Sequence, residues 1–376
     1  MQEREPCLEG RRLMRVKLPA WVNVGLIPVL NLLLAFLVSG VVVVLLGENP
    51  IEAMQLLVYG AFGYPEAIGY TFYYTTNFIF TGLAVAIAFH AGLFNIGGEG
   101  QAALGGLGVG LVGIYLGWLP GVISIPLAIV AAILLGGLWG FIPGWLQAVR
   151  GSHTVITTIM LNFVAASLMT YMMVEVLIKP GQSTPESITF DRAIWMPDLS
   201  RLLGLGRSPF NFAFIIALIC CLLVWLFVWK SRLGYELRVV GKSESAAVYG
   251  GINPKTITIL VMTISGALAG MMALNEILGA QHRLILGFTA GYGFVGIAVA
   301  LMGRNHPFGI ILASLLFGAL YQGGSELSFD MPQINRDMVV VIQGLVILFA
   351  GALENMFRPW LEALFAPRAA DAVQPA

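Results

Sequence analysis

The chain has 376 residues, of which 58% are hydrophobic and only 11% charged, and its formal net charge is zero. Soluble domains carry about 25% charged residues, so the composition excludes an ordinary soluble domain and points to a bilayer. A balanced charge also excludes a global field that would gather nucleic acid or acidic partners.

In chain order, Arg11, Arg12, Arg15 and Lys17 precede an apolar run from Leu26 to Leu46. A signal-peptide core is shorter, about 7–15 residues, with a small-residue cleavage site, so this run reads as a retained first span. About 20 apolar residues cross the hydrocarbon. On that criterion the sequence predicts about ten spans, at 25–47, 71–93, 99–118, 121–148, 154–177, 211–230, 256–278, 288–303, 308–324 and 338–356. The third and eighth are Gly-rich, and the eighth is short. The expected fold is an all-α polytopic membrane protein: a transmembrane domain over 25–356 between cytoplasmic tails at 1–24 and 357–376. Cys7, Cys220 and Cys221 have no CxxC spacing and read as packing residues and a free thiol.

Lys and Arg set the orientation. With the N-terminus inside and strict alternation, fourteen of the twenty Lys and Arg residues fall inside and six outside. Both termini are therefore expected in the cytoplasm. Four of the outer six lie in one long loop, from Lys179 to Asn211.

The halves echo each other. "GLFNIGGEGQAALGGLGVGLVG" opens one Gly-rich helix and "LGFTAGYGFVGIAVALMG" opens another. The first is expected to begin near the inside and the second near the outside, which makes a 5+5 inverted repeat. Such repeats carry the substrate path at their interface, beside Gly-interrupted segments.

Broken helices expose backbone N–H and C=O groups, which only a protein-lined or wet cavity tolerates. Phe94, Asn95, Glu99 and Gln101 are therefore pathway candidates at the bundle interior or the cytoplasmic mouth. Glu99 also complements the dipole of its own helix. Helix capping and cross-linking, with the glycines allowing close packing, is an equally good reading. Thr158 and Asn162 share a helix face at i, i+4, and Asn275 closes the seventh span; these three are further pathway candidates. Glu276, ionisable within a span, is a functional candidate by default unless it simply reaches the headgroups, as Glu175 is read to do; His90 reads as a hydrogen-bonded structural residue. There is no metal-ligand spacing, nucleophile–base set or paired-acid cleft, so neither an enzyme nor a metal site is expected.

The longest internal cytoplasmic loop, 231–255, contains "GKSESAAVYGGINPK". Gly241, Lys242 and Ser243 mimic the end of a phosphate-binding loop, but the signature needs a glycine where Glu236 stands. If ATP powers this protein, another chain must bind it. Ser243 can cap a short helix, Glu244 sits in its first turn, and Ala246 and Tyr249 share a face. Ala247 lies between them, Gly250 and Gly251 stop the helix, and Pro254 prevents its resumption. So short a helix is unstable alone; a partner's groove, or the surface of its own bundle, would have to supply burial.

These stretches resemble the permease subunits of bacterial ABC importers of the ribose, simple-sugar and branched-chain amino acid class. "GLFNIGGEGQ" is similar to that class's most specific short motif, and "HTVITTIMLN", His153 to Asn162, resembles its nucleoside or simple-sugar branch. "GKSESAAVYGGI" stands where the class has its ATPase-coupling segment, and "GFTAGYGFVGIAVALMGRNHP" also resembles the family pattern. The likeness covers about residues 25 to 356. It implies an inner-membrane complex of two permeases, the second usually different and shorter, with two ATPase domains that bind ATP and an external substrate-binding lipoprotein. Scattered Asn, Gln and Thr beside Phe and Tyr, without a basic cluster, suit a nucleoside better than a strong anion. A simple-sugar permease is the alternative, followed by an ion-coupled secondary transporter and a passive channel.

Overall fold

Each of the ten apolar runs contains a helix, because backbone in hydrocarbon must satisfy its own hydrogen bonds. In the computed structural model the described residues are Val22 and 26–349, apart from 180, 332 and 335. The N-terminal basic cluster, Cys7, the tails at 1–24 (Val22 apart) and 357–376, and the end of the tenth run lie outside them.

The chain divides into two units, one formed by Glu48–Val339 and one by the chain ends, Met1–Gly47 with Val340–Ala376. In the second, α1 (Ile27–Leu45) begins where Val22, Leu26, Ile27 and Leu30 pack together. The first contains α2 (Pro50–Phe62), α3 (Pro65–His90), α4 (Gly98–Leu116), α5 (Gly121–Arg150) and α6 (Thr154–Val176). After a long loop bearing α7 (Leu199–Leu202) come α8 (Ala213–Lys230), α9 (Arg232–Lys242), α10 (Glu244–Tyr249), α11 (Pro254–Gln281), α12 (Tyr292–Met302) and α13 (Pro307–Asp330). The last described helix, α14 (Arg336–Ile347), runs across the unit boundary.

Six described helices are long and apolar enough to cross a membrane, or seven if Val29–Leu45 and Pro50–Phe62 count as one broken span. α12 is not among them: its 11 residues rise about 16 Å, half the hydrocarbon thickness of about 30 Å. The eighth run is thus a short helix preceded by irregular chain. α2 falls where the sequence suggested only a connection. Asn49 caps it by accepting from Ile51 N at 3.0 Å, and Pro50 occupies its first turn.

α3 is the central post. Of its most apolar window 83% is buried, against 17% for α6. It carries Thr71, Thr75, Thr76, Asn77 and Thr81 into the interior. Thr75, Thr76 and Thr81 return their hydroxyls to carbonyls four residues earlier, at 2.7–3.0 Å, so they are satisfied within the helix. α5 and α11 approach through small residues. A Cβ on Gly136 would lie 2.5 Å from Gly266 O, and one on Gly140 2.3 Å from Met262 O. Gly136/Gly140 and Gly266/Gly270 thus form facing small-xxx-small pairs, which let two backbones touch where lipid gives helices no hydrophobic reason to associate.

The long loop that bears α7 is not a free connection. Ser187 N donates to Leu284 O at 2.9 Å, Phe190 N to His282 O at 2.8 Å and Met196 N to Leu278 O at 3.0 Å. Arg283 pairs with Glu186 at 3.1 Å, and the His282 and Trp195 rings stack at 3.7 Å. The loop is therefore laced to the chain that leads into α12.

Candidate functional site

Two buried polar clusters occupy the interior. The first surrounds residues 95–101. Asn95 Oδ1 accepts from Gly97 N at 2.8 Å, and its Nδ2 donates to Gln101 Oε1 and to Ser265 Oγ, both at 2.8 Å. Gln101 Nε2 returns a bond to Asn95 Oδ1 at 3.2 Å, and Ser265 Oγ donates to Ala84 O at 2.5 Å. Asn95 and Gln101 are 0% and 1% exposed. From α6, Asn162 Oδ1 accepts from Gly100 N at 2.9 Å and Asn162 Nδ2 donates to Ile96 O at 3.0 Å, while Thr158 Oγ1 accepts a longer bond from Ile96 N. These side chains close the backbone valences opened by the irregular entry to α4, which the dry interior demands.

Glu99 does more than face its own helix. Oε1 accepts from Gly291 N and Oε2 from Gly293 N, each at 2.9 Å. These N–H groups belong to the start of α12. The helices α4 and α12 therefore start at one place, while the stretches leading into them start apart: Gly92 lies against Gly241, and Leu286 N donates to Pro185 O at 3.4 Å. A Cβ on Gly293 would stand 2.3 Å from Glu99 N. Two positive helix ends meet there and share one carboxylate.

Phe94 stands apart from the Asn95 network: its ring packs on Phe89 at 5.2 Å and it lines a cavity beside Gly241. Asn275 belongs to the second cluster, about 10 Å further along α3, seven residues at 1.5 Å each. Its Nδ2 donates to Asn77 Oδ1 at 2.8 Å and to Tyr73 O at 3.0 Å, and its Oδ1 accepts from Asn211 Nδ2 at 2.8 Å. Glu276 beside it does not reach the headgroups. It is 3% exposed, and its Oε1 accepts from Tyr73 OH and Asn77 Nδ2, both at 2.6 Å. The π-helical turn Leu274–Gln281 adds a residue to the helix circumference and turns both side chains inward, a geometry frequent at functional sites. Tyr73, Asn77, Asn211 and Ser265 were not singled out in the sequence. Only their polarity inside apolar runs could have marked them. Glu175 is exposed, and His90 Nε2 lies 2.8 Å from Asn305 O, tying α3 to the turn before α13.

On the side of the molecule that carries Lys230, Arg232, Arg238, Lys242 and Lys255, the predicted helix is present as α10. Ser243 caps it, accepting from Ala246 N at 3.3 Å. Gly250 follows it and Gly251 takes φ +77°. Ala247 faces the bundle, whereas Ala246 and Val248 are exposed and Tyr249 is 96% exposed. Pro254 does not bar a helix here: it occupies the first turn of α11, where no N–H is needed. The stretch before Gly241, read as loop, is α9, capped by Ser231 accepting from Gly234 N at 3.0 Å. Gly241 lies against the chain that precedes Asn95: a Cβ there would stand 2.2 Å from His90 O and 2.9 Å from Gly92 N. Gly241→Val is expected to force that contact apart, at a cost of about 1–3 kcal/mol. Uptake should fall while the ATPase stays bound; unchanged uptake would show that the contact transmits nothing.

Residues 67–351 match the family described as branched-chain amino acid transport system / permease component. A glucose ABC transporter permease protein of Haloferax volcanii is 35% identical over 369 residues, 95% of each chain. A guanosine ABC transporter permease protein of Bacillus subtilis is 34% identical over 87% of this chain and 93% of its own. A nucleoside ABC transporter permease protein of Lactococcus lactis subsp. cremoris is 33% identical over 86% and 90%. No solved structure matches. Permeases of this kind span the membrane and leave ATP hydrolysis to a partner ATPase, with a binding protein delivering the solute. With its membrane-spanning helices, its buried polar junction and this extent of likeness, the chain belongs to the family of ABC-importer permeases described as branched-chain amino acid transport system permease components.

Proposed function

We propose that the solute is a nucleoside, translocated by ten membrane crossings in a 5+5 inverted repeat with both termini in the cytoplasm. Two of the crossings are broken, at 91–116 and 282–302. The meeting of α4 and α12 through Glu99 supports the repeat, since matched interrupted helices converge on the path in such folds. Asn95, Gln101, Thr158 and Asn162 shape the inner part of that path, and Asn275 with Glu276 the outer part. A second, different permease completes the membrane part.

The solute reading rests on the interior itself. Its polar groups are amides, hydroxyls and the two carboxylates Glu99 and Glu276, beside an aromatic cluster of Tyr74, Phe78, Tyr292 and Tyr321 with ring centroids 4.9–6.3 Å apart. Such surroundings suit a neutral ring with donor edges. The guanosine and nucleoside relatives support that choice; the glucose relative favours a hexose as the second reading. Uptake of labelled guanosine by cells expressing the whole complex, challenged with excess glucose, decides between them. Uptake of labelled glucose with no uptake of labelled guanosine would replace the nucleoside by a sugar.

Energy enters at α10, whose exposed Tyr249 and Val248 await burial against the ATPase. Tyr249→Glu is expected to lower ATPase retention in pull-downs at least about tenfold, the range for losing a central aromatic anchor, with the permease still in the membrane. Wild-type retention would remove α10 from the docking surface.

A further inference from the structure

A groove of about 850 Å³ runs between α5 and α8, with α11 as its floor. One wall carries Leu134, Leu138 and Phe141, the other Leu223 and Phe227, and Leu268 lies below. The walls can be reached from outside: Leu134, Leu138 and Leu223 are 63%, 55% and 55% exposed. The one hydroxyl in the lining, on Thr263, already donates to Ile259 O at 2.8 Å, so nothing in the groove seeks a polar guest. All three helices are long and apolar enough to cross a membrane. Hydrocarbon therefore surrounds the groove, and an apolar group fills it.

The walls and their ends say which apolar group this is. A neighbouring helix would want small residues facing it, because helices associate in lipid by close backbone approach. Gly137 faces α11 instead, where a Cβ would meet Thr263 O at 3.3 Å, and the open walls are Leu and Phe. A flexible acyl chain fits such walls better than a helix does. α5 and α8 carry no Asp or Glu and a single charge each: Arg150 ends α5 and Lys230 ends α8. Both ends lie on one side of the bundle, since the last turn of α5, the first turn of α11 and the end of α9, which follows α8, line one cavity beside Gly241. Trp145 continues the line of Leu134, Leu138 and Phe141 along one face of α5, and Lys230 stands three residues beyond Phe227. Arg150 lies over the Trp145 ring at 6.0 Å and Lys230 over the Trp225 ring at 5.5 Å. Indoles with cations at the ends of spans mark the level of the lipid headgroups, and cations there attract anionic ones. Glu236 nearby is paired with Arg232 at 3.0 Å; among the described residues neither Arg150 nor Lys230 forms an ion pair.

We propose that this groove is a binding site for an anionic phospholipid, with an acyl chain between α5 and α8 and the phosphate drawn to the end that carries Arg150 and Lys230. The inference uses only the membrane-spanning helices; neither the solute nor the orientation proposed above enters it. The test places the complete complex in phosphatidylcholine nanodiscs containing a trace of a lipid with a diazirine in its acyl chain. The headgroup of that probe is either phosphatidylglycerol or phosphatidylcholine. After illumination, mass spectrometry compares adducts on 133–141 and 220–227 with adducts on 160–164 of α6, where Met160, Phe163 and Val164 are exposed and report bulk lipid. Relative to α6, the phosphatidylglycerol probe is expected to label the groove about tenfold more than the phosphatidylcholine probe, the scale of two cations acting on one charged headgroup. Arg150→Gln/Lys230→Gln should bring the two probes level. Leu138→Trp, which fills the groove, should remove groove labelling by both while α6 is labelled as before. If Leu138→Trp does not fold, the charge variant, altered only at helix ends, carries the test. Groove labelling no higher than that of α6, or equal labelling by the two probes in the wild type, overturns the proposal. Labelling that is present in the isolated permease and absent from the complete complex also overturns it, because the second permease and not a lipid then covers the groove.

Discussion

Gly293→Val is expected to abolish uptake while the chain remains in the membrane. At this position a Cβ would lie 2.3 Å from Glu99 N, 2.6 Å from Glu99 Cα and 2.6 Å from Gly98 C, all backbone atoms of α4. Backbone cannot yield as a side-chain tip can, so α12 must withdraw. Withdrawal strips Glu99 of the Gly291 and Gly293 N–H donors, and each unpaired buried group costs about 1–3 kcal/mol. It also leaves two positive helix ends facing each other without their shared carboxylate. Gly98→Ala should be milder, since its nearest new contact, Gly293 O, lies at 3.3 Å. Labelled-solute uptake, with surface labelling to establish insertion, checks both variants. Wild-type uptake by Gly293→Val would mean that the α4–α12 junction is dispensable.

The second large effect is expected at Glu276. Glu276→Ala leaves Tyr73 OH and Asn77 Nδ2 without the acceptor they share at 2.6 Å. Two buried donors then go unpaired, about 1–3 kcal/mol each, on top of the space vacated by the side chain. The damage should spread to Asn275 and Asn211, because their bonds run through Asn77. Glu276→Gln keeps an acceptor oxygen and should lose much less. The thermal midpoint of the purified protein in detergent separates the two, with Glu276→Ala well below Glu276→Gln. Equal midpoints for the wild type and Glu276→Ala would mean that the carboxyl does not hold α3 to α11. If Glu276→Gln is stable but fails in uptake, the carboxylate serves the solute path as well as the fold.

How much of this was legible beforehand differs by residue. Ser243, Glu244 and Gly250 announced α10 because a helix start and stop are local events, decided within a few positions of the chain. Asn95, Gln101, Thr158 and Asn162 were recognisable as polar residues in apolar surroundings, and the structure gathers them about one loop. Phe94 was grouped with them, yet its ring packs on Phe89 and it lines the cavity beside Gly241. Asn275 was noticed without its partners. For Glu276 the headgroups stood beside a functional role, because its place near a span's end fits both and nothing local distinguishes it from Glu175.

By itself, the sequence determined that this protein lives in a bilayer and where the short helix α10 starts and stops. Hydropathy and capping act over one helix or one turn, so they can be read along a single line. Only the tertiary structure decided that Glu99 closes a helix beginning 192 residues later, that Tyr73 and Asn77 hold Glu276, that Gly241 rests on the chain leading to Asn95, and that the eighth run falls short of a full crossing. Those outcomes depend on which distant groups come within hydrogen-bond or van der Waals range, and separation along the chain carries no record of that.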